Sequence, residues 1–88
     1  MWAIKLMDGK PSSMIYLREG LLDGRILVFD KEEAALRLLR DIKDALEHGL
    51  RVRLTTVRFD GDPRQDRPYK VPDSAIDSLA QFMLAYLK

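Results

Sequence analysis

From residue 35 to 46 apolar side chains recur at three- and four-residue steps. Ala35, Leu38, Leu39, Ile42, Ala45 and Leu46 fall on one stripe at about 100° per residue, with Leu36 at its flank. Arg37, Arg40, Asp41, Asp44, Glu47 and His48 fall on the other side. The pattern predicts an amphipathic helix over residues 30–49. Asp30 stands at the N-cap and Glu33 three residues on, the spacing of a capping box, and Gly49 stands where a left-handed C′ residue ends a helix. Opposite charges four residues apart, Arg37–Asp41, Arg40–Asp44 and Lys43–Glu47, add a few tenths of a kcal/mol each at most. A helix with one apolar face needs a surface to cover, so the pattern calls for a sheet.

Alternation supplies the strands. Trp2, Ile4 and Leu6 alternate with Ala3, Lys5 and Met7, and Asp8-Gly9 predicts a tight hairpin turn that Pro11 extends toward Ser12 and Ser13. Residues 13–18 form the return strand, with either Ile15 and Leu17 or Met14 and Tyr16 inward. Glu19-Gly20 breaks it, Asp23-Gly24 is a second turn, and residues 26–29 form a strand apolar enough to be covered on both faces. After the helix, Leu50, Val52 and Leu54 alternate in one phase and Val57 and Phe59 in the other. A β-bulge at Thr55-Thr56 reconciles the phases and places Arg51, Arg53 and Arg58 on a common polar face. Residues 60–72 are rich in proline and charge and predict a surface loop or long hairpin tip, with a short edge strand at residues 69–71 between Pro68 and Pro72.

Asp73 or Ser74 caps a final helix. There Ala75, Ile76, Leu79, Phe82, Met83 and Tyr86 form an inward stripe, while Ala80, Leu84 and Leu87 lie beyond it and offer a homodimer seam. The expected fold is therefore a single α+β domain over residues 1–88: a small, mainly antiparallel sheet of three to five strands with two helices on one face. The order is β-β-(β)-α-β-(β)-α. Read as ββαββα, it is a circular permutation of the ferredoxin-like βαββαβ; a plain meander with helices on one side fits the same order.

Composition narrows the chemistry. The chain has 88 residues and a formal charge of +1, which exerts no global pull on nucleic acid or membrane. It has no cysteine, which removes disulfides, thiolate nucleophiles and cysteine-ligated zinc. The start lacks the apolar run of a signal peptide and no segment approaches a membrane span, so the expected location is cytoplasmic. Asparagine is absent and Arg outnumbers Lys nine to six, a thermophile-like composition that GC-rich coding also produces.

Candidate catalytic groups are sparse. His48 is the only imidazole, at a helix C-terminus where a cation suits the dipole. Ser12, Ser13, Ser74 and Ser78 lack a Gly-x-Ser-x-Gly setting. Asp60, Asp62 and Asp66 begin like a calcium loop. Gly61 and Pro63 interrupt it, Arg64 and Arg67 neutralise it, and no distal Glu completes it. No catalytic residue, metal site or cofactor is expected.

Charge is unevenly spread. Residues 30–50 carry four basic and six acidic side chains, and residues 51–70 carry six basic and three acidic. Two readings follow. In the first, the chain is a non-enzymatic protein-interaction module, a small homodimeric regulator or inhibitor joined through its last helix. In the second it binds nucleic acid through Arg51, Arg53 and Arg58 and the adjoining Arg64, Arg67, Tyr69 and Lys70, with the aromatic ring stacking on bases. A balance this near neutral favours the protein partner.

Overall fold

The computed structural model describes residues 1–7 and 15–86. Five strands form one mixed, largely antiparallel sheet: β1 Trp2–Met7, β2 Ile15–Tyr16, β3 Leu27–Phe29, β4 Arg53–Arg58 and β5 Tyr69–Lys70. Three helices accompany it: α1 Glu32–Leu50, the one-turn α2 Pro63–Asp66, and α3 Ile76–Tyr86, which follows a 3-10 turn at Asp73–Ala75. The α+β class is as expected, and the third helix, α2, is an addition. The expected Asp8-Gly9 turn lies outside the described residues.

β1 is the centre of the sheet. β4 pairs antiparallel along its whole length, from Trp2↔Arg58 to Met7↔Arg53. Its other side is shared: Leu6↔Ile15 and Lys5↔Tyr16 at one end, Ala3↔Val28 and Trp2↔Phe29 at the other. β2 and β3 thus follow one line along β1, joined by Leu17 N–H to the Ile4 carbonyl at 2.8 Å and Leu27 N–H to the Leu17 carbonyl at 3.1 Å. Between them residues 18–26 loop out as a compact excursion, closed by Glu19 N–H to the Arg25 carbonyl at 3.0 Å and by the Arg25–Glu19 ion pair at 2.8 Å. Leu21 holds a left-handed φ of 78° within it. Such a backbone costs about 1–3 kcal/mol and persists where surroundings over-determine it. Here burial of the side chain and mutual backbone bonds with Arg18 do so.

Being antiparallel to both, β1 makes β3 and β4 parallel to each other, with α1 as the crossover between them. The face of β1 bearing Trp2, Ile4 and Leu6 joins Leu17, Leu27, Phe29 and Leu54 in one core cluster with Ala35, Leu38, Leu39, Ile42 and Leu46 of α1. β3 is buried on both faces, as its unbroken apolar run predicts. α3 packs against α1 and adds Ile76, Ala80 and Met83 to the same cluster.

The other face of the sheet is covered differently. Ala3 and Val28, paired in register, are fully buried yet stand outside the main cluster. After β4 the chain crosses to β5, which pairs parallel with β3 at the far edge. The expected hairpin tip is therefore a crossover. It is pinned by the Phe59 ring edge-on to Tyr16 at 5.7 Å and by the Tyr16 hydroxyl, which donates to Asp60 Oδ1 at 2.7 Å. Gly61 makes the close approach possible, since a Cβ there would meet the Phe59 ring and the Asp66 carboxylate. Asp62 caps α2 by accepting from Arg64 N–H at 2.8 Å.

Three local expectations are corrected. α1 begins one residue later than its capping box implies. Lys31 is the N-cap without a side-chain bond, and Asp30 instead reaches Lys70 Nζ on β5 at 3.0 Å. At the other end the helix runs through Gly49 to Leu50, which packs on the core, and Arg51 takes the left-handed position with φ 54°. The β1–β4 register is continuous, so there is no bulge at Thr55-Thr56. The phase slip in the sequence instead records a change of what is buried, Leu54 beneath α1 and Phe59 beneath the crossover.

Candidate functional site

Without the bulge, strand parity separates the arginines. Arg53 lies on the crossover side of β4. Arg58 lies on the side of Leu54 and Thr56, where its guanidinium sits 5.6 Å from the Trp2 ring centre. Arg51 leaves the end of α1 in a left-handed turn. Arg64 and Arg67 stand exposed around α2. Tyr69 and Lys70 occupy the opposite edge, two strands beyond the β4 pairing, at roughly 14 Å for three inter-strand steps of about 4.8 Å. Arg25 covers the Tyr69 ring at 4.8 Å, and Lys70 is committed to Asp30. The seven basic-set residues are thus dispersed over two edges and the crossover, and the common face expected of Arg51, Arg53 and Arg58 does not form.

Two of the three residues expected to form a seam on α3 pack inward. Ala80 is 4% exposed and belongs to the core; Leu84 is half-buried against it; Leu87 lies outside the described residues. The outward apolar residues are Phe82, 54% exposed, and Tyr86, 67% exposed, with half-buried Ala75 and Leu79 in line. At about 100° per residue, positions 75, 79, 82 and 86 span about 60° of the helix, and positions 76, 80 and 83 a second stripe about a quarter-turn away. In the sequence pattern the two run together as one broad apolar stripe. What separates them is tertiary: Ile76, Ala80 and Met83 bury in the cluster that α1 shares, and Arg37 of α1 meets Asp77 at 3.2 Å beside them.

Polar chemistry is confined to the surface. Among the described residues no polar or charged side chain is buried, and no group of three His, Asp or Glu is placed to hold a metal ion. Asp60 and Asp62 are engaged with Tyr16 and the α2 cap. His48 Nδ1 lies 2.8 Å from the Asp44 carbonyl within its own helix. A cleft of about 570 Å³ opens between the start of α1 and the β5–α3 connection. Of the charged groups at its rim, Asp30 and Lys70 are paired with each other, and Arg37 is paired with Asp77 of α3.

Two surface contacts shift acidities. Partial burial, then the hydrogen bond to Asp60, pushes the Tyr16 phenol up. The same hydroxyl holds the Asp60 carboxyl below its ordinary value, and the Arg25 guanidinium does the same for Glu19. The Asp60 contact ties the crossover to β2, the Glu19 contact closes the excursion on itself, and neither carboxylate lines the cleft at the start of α1.

No protein-family model, curated protein sequence or solved structure matches this chain. No helix among the described residues is long and apolar enough to cross a membrane.

Proposed function

We propose that the chain is a non-enzymatic protein-interaction module of the cytoplasm, a small homodimeric regulator or inhibitor that docks another protein through the outer stripe of α3. The carrying observation is the alignment of half-buried Leu79 with exposed Phe82 and Tyr86 on one helix face. Single exposed apolar residues need no explanation, whereas two aromatic rings aligned one turn apart form the kind of anchor that interfaces favour. In this reading α1 and α3 lie on one face of the sheet, and the sheet serves to present α3. The partner's matching surface is apolar, a groove or a helix face that receives the two rings.

Affinity capture from the source cells tests the reading. The wild-type chain should retain a discrete protein that Phe82→Ser with Tyr86→Ser releases and that nuclease treatment does not. Arg51→Glu with Arg53→Glu should leave that capture unchanged. Salt-sensitive binding to random DNA or RNA that the arginine variant abolishes would transfer the function to nucleic acid instead.

A further inference from the structure

The sheet ends on one side in the two-residue strands β2 and β5 and on the other in β4. β5 is two residues long and flanked by Pro68 and Pro72, which closes it to further pairing. β4 is six residues long, contains no proline, and pairs with β1 alone among the described residues. Phe59 N–H donates to the Met1 carbonyl at 2.9 Å and sets the phase of the ladder: odd-numbered residues of β4 bond to β1. The N–H and C=O groups of Leu54, Thr56 and Arg58 therefore point away from the sheet. Glu47 of α1 reaches over the edge and accepts the Leu54 N–H at 3.1 Å. The Thr56 carbonyl takes a long 3.4 Å bond from the Thr55 hydroxyl, and nothing among the described residues takes the Thr56 or Arg58 N–H.

We infer that this edge is the homodimer seam: β4 pairs antiparallel with β4 of a second copy about a two-fold axis at Thr56. In that register Thr56 faces the partner's Thr56 and Leu54 faces the partner's Arg58, each as a hydrogen-bonded pair. The Arg58 side chain lies on the α1 side of the sheet, the side from which Glu47 reaches the edge. The partner's Arg58 therefore arrives beside Glu47, and by symmetry Arg58 arrives beside the partner's Glu47. As the seam closes, the partner's Arg58 carbonyl takes the Leu54 N–H, and the Glu47 carboxylate passes to the partner's guanidinium. This reciprocal charge match selects a second copy over any other strand. The inference rests on the interaction-module reading only in naming the occupant, and it leaves the stripe on α3 free for a different protein.

Sedimentation of the full chain from low to high micromolar concentration tests the seam. A dimer is expected. Glu47→Arg and Arg58→Glu should each weaken it by about tenfold or more, and the two together should restore it. Thr56→Pro should abolish it while circular dichroism stays native, because the Thr56 N–H has no role in the β1 ladder. A chain that stays monomeric throughout overturns the seam, as does a double variant that fails to recover. Dissociation by Phe82→Ser with indifference to both charge reversals also overturns it, by moving the second copy to α3. The first two results leave capture of a different protein through α3 standing, and the third gives that stripe to a second copy instead, so failure of the seam is distinguishable from failure of the module reading.

Discussion

α1 and α3 both bury apolar residues in the same cluster, yet their outward faces differ in kind. α1 turns Arg40, Asp41, Lys43, Asp44 and His48 to solvent. α3 turns Phe82 and Tyr86 to it. The longer helix therefore reads as scaffold, complete once its inner stripe is covered. The shorter has an inner stripe of its own, Ile76, Ala80 and Met83, and needs no aromatic ring outside it to be held. A helix with two apolar stripes about a quarter-turn apart has a use for each.

The comparison breaks first on stability. Leu38→Ala and Met83→Ala remove fully buried side chains from α1 and α3 and should each cost about 2–5 kcal/mol in urea unfolding. Phe82→Ala should stay within about 0.5 kcal/mol of wild type. A loss at Phe82 as large as that at Met83 would make the outer stripe structural and remove the contrast. Asp77→Asn tests the ion pair between the two helices. Both side chains of the Arg37–Asp77 pair are more than half exposed, so the expected loss is below about 1 kcal/mol and shrinks further in high salt.

The smallest effect concerns pH. The Asp60 and Glu19 carboxyls are held below their ordinary values, so their contribution is present above the ordinary carboxylate range and fades as pH falls through the depressed values. Tyr16 is raised, so its contribution is present below the ordinary phenol value and is lost as pH rises through the folded one. Tyr16→Phe should return the Asp60 titration toward the ordinary carboxylate value, read by carbon NMR of the carboxyl. Because these groups lie on β2 and in the loops after β2 and β4, away from α3, Phe82→Ser should leave both limbs of the stability–pH curve in place. A shift of either limb would tie the outer stripe to the fold.

Much of the frame was legible in the sequence. The α1 stripe, the alternation of β1, the doubly covered β3 and the proline-bounded β5 each follow from local pattern. The misread features depend on contacts between distant segments. Asp30 meets Lys70, forty residues on, and does not cap α1. Arg58 sits on the α1 side because register with β1, not local alternation, fixes parity on β4. The choice between the two stripes of α3 is made by the apolar cluster with α1 that Ile76, Ala80 and Met83 join. The open edge of β4 has no sequence mark at all, since it depends on which strand lies beside it and which does not.

Site-specific photo-crosslinking in the source cells tests the central contrast most directly. A photoreactive phenylalanine analogue replaces Phe82 on α3 in one variant and Arg40 on α1 in the other. The outer stripe of α3 should yield a discrete, nuclease-resistant protein adduct at position 82 and none at position 40. Equal adducts at both positions, or none at position 82 from a folded chain, would contradict the assignment of α3 as the docking face.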